Sequence, residues 1–321
     1  TFTRFSTMNQ RMHNKVILID NKVAIIGGRN IQDAYIDRDP GLTFRDRDII
    51  VSGPVTQEIQ DSFHEFWNYE ECYEASRMHD LKAVLEAGPE LELEDIEFTP
   101  DPIFAEIDEL ANAYDISNQR PRLKSWDVDQ MVFLSDNPTK NAKEGDPEDI
   151  ASFNEAGDRI INAQSEILVQ SPYAVINEKT YKDWRRLRKD SEVKVKFSTN
   201  SLSSADHVYV GSVALKQRRR QVKTLNVELY LAKPVPEDIV EMVPRHEELK
   251  LEKADELNPD WEASEDVMPL EGDDPRFCIH AKSMVVDRKI SLVGSHNFDP
   301  RSSNLNTECV ILVYDEPFSQ H

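Results

Sequence analysis

The chain is poor in residues that would define it by cross-link, metal or membrane span. Its 321 residues hold three cysteines, Cys72, Cys278 and Cys309, far apart and in no C-x-x-C pair. That excludes a disulfide framework and a zinc ribbon, and each cysteine reads as a small core residue. Ten glycines and 17 prolines exclude a glycine-rich repeat or linker protein. No run approaches the roughly 20 apolar residues that span a bilayer. There is no H-E-x-x-H, no P-loop and no His/Cys cluster, so neither a metal nor a cofactor is expected. Positive charge is in deficit, with 38 Lys+Arg against 60 Asp+Glu and a net charge of −22. The broad basic footprint of a non-specific nucleic-acid binder is therefore missing, and no nucleic-acid partner is expected. The chain opens Thr1-Phe2-Thr3-Arg4, with neither an initial Met nor a secretory apolar stretch. Such an opening is expected of a piece of a longer sequence.

What is present is enough apolar residues for real cores, 39% of the chain, and an internal repeat. Met12-His13-Asn14-Lys15-Val16-Ile17-Leu18-Ile19-Asp20 near the start matches Ile279-His280-Ala281-Lys282-Ser283-Met284-Val285-Val286-Asp287 near the end. Both read H-x-K-x4-D. The match continues through Gly27-Gly28-Arg29-Asn30 and Gly294-Ser295-His296-Asn297, with the glycine and the Asn at equal offsets from each His. Each copy predicts a β-hairpin, and the continuous apolar runs predict strands buried on both faces. His and Lys at i and i+2 would share one strand face.

The organisation around the repeats predicts an α/β fold. Helices are expected over 54–67, 78–87, 104–114, 150–163, 178–189 and 204–221, and strands over 130–134, 167–169, 193–198 and 227–230. The acidic segment near 241–274 reads as a long surface loop or insertion. About 130 residues of α/β pattern precede His280, whereas twelve precede His13. The expected division is therefore residues 1–145, the C-terminal part of a first domain with a connecting segment, and 146–321, a second domain carrying the acidic insertion. If the copies are homologous domains, the first is expected to be N-terminally truncated.

The chemistry of the repeat requires both imidazoles at one pocket. One attacks an electrophile and the other gives a proton to the leaving group, with either order open. Two lysines and two asparagines around an anionic tetrahedral centre fit a phosphodiester. His64 reads as helix core or surface, and His296 as packing. The basic runs at Lys182–Lys189 and Lys216–Arg220 read as solvated helix faces or as contacts with anionic lipid head groups.

On these motifs the sequence resembles the phospholipase D superfamily. The second half, through His280-x-Lys282-x4-Asp287, Gly294-Ser295-His296-Asn297-Phe298-Asp299-Pro300-Arg301-Ser302 and Leu305-Asn306-Thr307-Glu308, is similar to bacterial cardiolipin synthases. Gly27-Gly28-Arg29-Asn30-Ile31, Asp33, Tyr35, Thr199-Asn200-Ser201-Leu202 and Ala205-Asp206 resemble the C-type group. The resemblance implies two pseudo-symmetric phospholipase D-like α/β sandwich domains and a phosphatidyl-histidine intermediate. It implies His13 as nucleophile and His280 as general acid and then base, with Lys15, Lys282, Asn30 and Asn297 on the phosphoryl oxygens. Asp20 and Asp287 would orient the imidazoles. Ser295 and Glu308 stand at functional positions, with Asp48 as the counterpart of Glu308.

The expected activity is a phosphatidyl transfer forming cardiolipin from phosphatidylglycerol and a second phospholipid, phosphatidylethanolamine being one candidate. The expected location is the bacterial cytoplasmic membrane, bound peripherally to its surface. A phospholipase D-type hydrolase would use the same residues with water as acceptor. An inactive fragment or interaction module is the alternative of another class. A nuclease of the superfamily is disfavoured by the charge.

Overall fold

Each copy of the repeat folds as a hairpin closed by the same turn. In the computed structural model, strand β1 (Arg11–Met12) precedes β2 (Val16–Ile19) and β3 (Val23–Gly27), which pair antiparallel. The tip residues Asp20 and Asn21 both have positive φ, at 49° and 54°, and the Lys22 N–H donates to the Ile19 carbonyl at 2.9 Å. The second copy repeats this with Asp287 and Arg288 at 54° and 57° and Lys289 donating to Val286 at 3.0 Å. Two successive left-handed residues make the turn whose twist matches that of the flanking strands.

The structure describes residues 9–79, 82, 124–140, 157, 162–256 and 274–321. The helices expected over 78–87, 104–114 and 150–163 lie largely or wholly outside these. The chain divides into two compact units, Thr1–Phe66 with Val128–His321, and Trp67–Asp127. In the smaller unit a short 3₁₀ turn, Ala75–Arg77, sets the Arg77 guanidinium over the Tyr73 ring, and Cys72 is exposed.

In the larger unit, β4 (Leu42–Arg45) and β5 (Asp48–Ser52) follow the first hairpin, then helix α1 (Val55–Trp67) and β6 (Met131–Ser135). A β–α alternation follows: β7 (Glu166–Gln170), α2 (Glu178–Asp190), β8 (Lys194–Asn200), α3 (Val208–Leu225) and β9 (Glu228–Ala232). The Asn177 side chain caps α2 by accepting from the Thr180 N–H, and α3 stops where Asn226 turns left-handed. Helix α3 starts four residues later than the pattern suggests, because Ser201 and Ser204 tie residues 201–204 into a hydroxyl-bonded turn.

Two helices, α4 (Ile239–Met242) and α5 (His246–Glu256), occupy the front of the acidic segment expected to be a loop. Leu249, fully buried against Val243, Phe277 and Ile279, gives α5 a reason to form. The second copy of the repeat supplies β10 (Arg276–Ile279), β11 (Ser283–Val286) and β12 (Ile290–Gly294). Helix α6 (Pro300–Asn304), β13 (Asn306–Thr307), β14 (Cys309–Tyr314) and α7 (Glu316–Gln320) close the chain.

These strands build a seven-stranded sheet in the order β6-β14-β12-β11-β7-β8-β9, parallel from β7 to β9 and antiparallel elsewhere. A three-stranded antiparallel sheet, β2-β3-β5, packs on it. Period-2 alternation divides β14 between two cores. Cys309, Ile311 and Val313 meet Ala24, Ile26 and Val51 of the small sheet, whereas Val310 and Leu312 join the core under α2 with Trp184 and Leu187.

The expectation of burial on both faces holds for β12 of the second hairpin, where Ser291, Leu292 and Val293 are all buried, and fails for the first hairpin. Ile17, Ile19 and Ile50 are 49%, 48% and 56% exposed on the outer face of the small sheet. The corresponding strand β11 has β7 on its far side; among the described residues β2 has no such neighbour.

Ile311, fully buried between the sheets, tests this packing. Ile311→Ala should lower the unfolding free energy by about 2–5 kcal/mol, read as a lower denaturant midpoint at constant slope. A loss below about 1 kcal/mol would show that the interface between sheets is not close-packed.

Candidate active site

The two copies exchange strands. β1, just ahead of His13, pairs parallel with β13, just ahead of Glu308. β10, just ahead of His280, pairs parallel with β4, just ahead of Asp46. The ladders end alike: the His13 N–H donates to the Thr307 carbonyl at 3.0 Å, and the His280 N–H donates to the Arg45 carbonyl at 2.7 Å. Each imidazole is thereby set against a carboxylate of the other copy. His13 Nδ1 lies 2.8 Å from Glu308 Oε2, and His280 Nδ1 lies 2.5 Å from Asp46 Oδ2.

Sheet register identifies the counterparts. Gly27 stands opposite Asp48 and Gly294 opposite Val310, so the residues two positions earlier, Asp46 and Glu308, correspond. Asp48 is therefore not the counterpart of Glu308. It accepts from Arg29 Nε at 2.8 Å and from the Arg29 N–H at 3.3 Å.

Asp20 and Asp287 do not orient the imidazoles either. Asp20 is exposed at its hairpin tip. The Asp287 carboxylate accepts from the backbone N–H groups of Gln164, Ser165 and Glu166 at 2.8, 2.7 and 3.1 Å, which tethers the tip to the start of β7. The intervening strand, at about 3.3 Å per residue, sets tip and imidazole roughly 10 Å or more apart.

The carboxylates are held differently. Glu308 is fully buried; its Oε2 accepts from Ser295 Oγ at 2.6 Å, and its Oε1 from Asn306 Nδ2 at 3.3 Å. Asp136 fixes its backbone on both sides, accepting from the Glu308 N–H and donating its own N–H to the Glu308 carbonyl, both at 2.9 Å. Lys140 Nζ donates to Asp136 Oδ2 at 2.8 Å and to the carbonyls of Ser302 and Asn306. Burial of Asp136, opposed by Lys140, pushes its carboxyl up to about 6. In the first copy the carboxylate side chain, Asp46, is one methylene shorter than Glu308. A Cβ on Gly28, where the second copy has Ser295, would lie 2.3 Å from Asp46 Oδ1 and 2.8 Å from Lys282 Cδ. Glycine is the residue that fits there.

Both lysines are desolvated. Lys15 Nζ donates to the His13 carbonyl at 2.9 Å, and burial lowers its pKa against the pull of Glu308 and Asp46. Burial lowers Lys282 to about 8, with Asp46 opposing and Lys15 assisting. Each ammonium thus feels both carboxylates, which places the two copies in one electrostatic field. Two buried ammonium groups in such a field favour an anionic ligand.

The imidazoles differ in their surroundings. Burial, and Lys282 Nζ at 2.6 Å from Nδ1 and 3.0 Å from Nε2, lower His280 to about 4 against the opposing Asp46. The neutral ring carries its proton on Nδ1, because a carboxylate there only accepts. Tyr35 Oη stands 3.1 Å from the Nε2 lone pair and accepts from Asn30 Nδ2 at 2.9 Å. Tyr35 and Phe44 stack at 4.5 Å between ring centroids, and both meet the His280 ring edge-on, at 5.0 and 5.1 Å. His13 has no such enclosure. Its side chain is 23% exposed against 8% for His280, and among the described residues no donor stands on its Nε2.

Asn30 thus sits on Tyr35, and the buried Asn297 donates its N–H to Ser302 Oγ at 3.2 Å while its Oδ1 has no partner among the described residues. His296, expected to pack, lines a cavity of about 470 Å³ with Lys282, Asp136, Trp184, Phe298 and Val310. Sequence reasoning missed Asp46, Tyr35 and Phe44 as site residues. The signal for Asp46 was its place two residues ahead of a strand whose register follows from Gly27. Tyr35 was marked only through the resemblance to the C-type group, with no role attached, and Phe44 carried no signal.

His280 should keep neutral-form ring signals down to about pH 5 and titrate near 4, followed by NMR. Because the unfolded chain binds this proton near pH 6.5 and the native protein near 4, stability should fall as pH drops through that window. A ring midpoint at or above about 6 would show that burial and Lys282 do not govern it.

The family model described as "Cardiolipin synthase, PLD-like domain" matches residues 157–321. The chain is 30% identical to cardiolipin synthase C of Escherichia coli (strain K12), over 99% of this chain and 61% of that protein. It is 27% identical to an uncharacterized protein of Helicobacter pylori (strain ATCC 700392 / 26695), over 98% of this chain and 56% of that one. The chain therefore spans about three-fifths of the length of these relatives. A phosphatidylserine synthase from Haemophilus influenzae Rd KW20 shares the fold with a TM-score of 0.50 at 15% identity, over 96% of this chain and 58% of that one. With the fold, the doubled H-x-K-x4-D hairpins and the matched family model in agreement, the chain belongs to the phospholipase D superfamily.

Proposed function

We propose that the site transfers a phosphatidyl group through a covalent histidine intermediate, making cardiolipin from phosphatidylglycerol and a second phospholipid. The observation that carries this is the reciprocal pairing. Each imidazole sets its Nδ1 against a carboxylate of the other copy, and both rings share a field with two desolvated lysine ammonium groups. A cardiolipin synthase among the relatives supports the choice of lipid.

His13 is the nucleophile in this reading, since a nucleophile needs a lone pair with no donor on it. Its Nε2 attacks phosphorus while Glu308 holds the Nδ1 proton. The bond from phosphorus to the leaving glycerol oxygen breaks, and that oxygen takes a proton from His280. In the empty site His280 is neutral. A phosphodiester anion against Lys282 offsets the ammonium that depresses it and restores its proton. Lys15, Lys282 and Asn297 bind the phosphoryl oxygens, Ser295 holds Glu308, and Asn30 acts through Tyr35. In the second step a lipid hydroxyl gives its proton to His280 and attacks phosphorus, releasing His13. No described helix is long and apolar enough to cross a membrane, and the proposed attachment is peripheral.

The test is incubation with labelled phosphatidylglycerol, with and without phosphatidylethanolamine. Cardiolipin as product supports the reading; phosphatidic acid alone makes the site a hydrolase, and no turnover makes the chain an interaction module. His13→Asn and His280→Asn should each lose more than about 10³-fold in rate. Quenching in denaturant at neutral to mildly alkaline pH, where the N–P bond survives, should trap labelled lipid on the His280→Asn variant and none on His13→Asn. Tyr35→Phe, which removes the donor on His280 Nε2, should lower kcat about tenfold with little change in KM and shift the pH profile. A change confined to KM would remove Tyr35 from the proton path.

A further inference from the structure

We infer that the outer faces of α2 and α3 form a docking face for an anionic lipid bilayer. The inference rests on the lipid-substrate reading above only for its purpose; its evidence is elsewhere in the fold. The two helices carry eleven Lys and Arg against three acidic residues, in a chain whose net charge is −22. Two basic runs separated in sequence come together because β7 and β8, and β8 and β9, are parallel neighbours, which sets α2 and α3 side by side. Arg220 clamps them, with its guanidinium 3.2 Å from the Tyr181 ring centre and 2.8 Å from Glu178 Oε1.

The remaining cations have a regular placement. Lys182, Arg185 and Lys189 on α2 follow the spacing i, i+3, i+7, and Lys216, Arg219 and Lys223 on α3 repeat it. That spacing puts each trio in one stripe. All six are exposed, and none is in an ion pair with a described residue. Elsewhere four arginines are paired with carboxylates: Arg29 with Asp48, Arg45 with Asp37, Arg245 with Glu248 and Arg288 with Glu166. Where acidic residues so outnumber basic ones, two unpaired stripes fit an anionic partner outside the chain.

The favoured partner is a bilayer for two reasons. A chain of this net charge is repelled by an anionic membrane except where a local excess of cations faces it. The α3 stripe also continues to Tyr209, seven residues before Lys216 and 89% exposed, an aromatic with a polar tip suited to the head-group level. Tyr209 lies at the end of α3 next to Asp206, whose field reaches His280 and Lys282.

The experiment is flotation of the full chain with vesicles of phosphatidylcholine alone or with about 30% phosphatidylglycerol, at low salt and at about 0.5 M salt. Binding should require phosphatidylglycerol and be lost at high salt. The triple variant Lys216→Glu/Arg219→Glu/Lys223→Glu should bind the anionic vesicles at least about tenfold more weakly. Lys182→Gln/Arg185→Gln/Lys189→Gln, which reverses no charge, should weaken binding in the same direction if the first variant folds poorly. Turnover of a monomeric short-chain phosphatidylglycerol should stay unchanged in both. Flotation needs no catalysis, so loss of turnover in the parent chain would sink the reaction while leaving this face to be judged on binding. Equal flotation with neutral vesicles, unchanged binding in both variants, or displacement from vesicles by a single-stranded oligonucleotide at equal charge would overturn it.

Discussion

The site depends on a parallel ladder made twice. A strand of each copy lies beside a strand of the other, and the backbone hydrogen bonds from His13 to Thr307 and from His280 to Arg45 end the ladders. Those bonds leave each imidazole one residue away from a carboxylate of the opposite copy. Neither copy alone contains a held imidazole. Pairing of the two copies and assembly of the candidate catalytic groups thus rest on the same ladders, and the buried carboxylates are tolerable because those ladders bring their partners.

The symmetry is broken where it is chemically useful. Glu308 reaches His13 with a longer side chain supported by Ser295 and Asn306. Asp46 reaches His280 with a shorter one beside a glycine. Tyr35 and Phe44 wall in His280. Two equivalent imidazoles in a shared field would be interchangeable; unequal enclosure distinguishes them, as a reaction needing one base and one acid requires. The Asp136–Lys140 pair, buried behind Glu308, extends the asymmetry beyond the first contacts.

Much of this was legible in the residues. The doubled H-x-K-x4-D marked both hairpins, both imidazoles and both lysines, and the succession of strand and helix patterns marked the run from β7 to β9. The partners of the imidazoles were not legible. Pairing between strands distant in sequence is not written as a local pattern, and the aspartate of each motif, Asp20 or Asp287, drew the expectation that Asp46 and Glu308 fulfil. Asp48 misled for a related reason: counted along the chain it matches Glu308 loosely, and the loop of the first copy hides the two-residue offset that the sheet reveals. The front of the acidic segment looked like a loop because its charges mask one buried leucine, Leu249.

The isoleucine face of the small sheet has a consequence for handling the protein. Ile17, Ile19 and Ile50 lie beside a strand whose outer edge has no described neighbour, the geometry on which further strands add. Mutual repulsion of like-charged copies opposes that contact in dilute buffer, and added electrolyte screens the repulsion. Ionic strength therefore acts in opposite senses on two surfaces of one molecule: it releases whatever the basic helices hold, and it favours contact between copies at the β2 edge that no described strand covers.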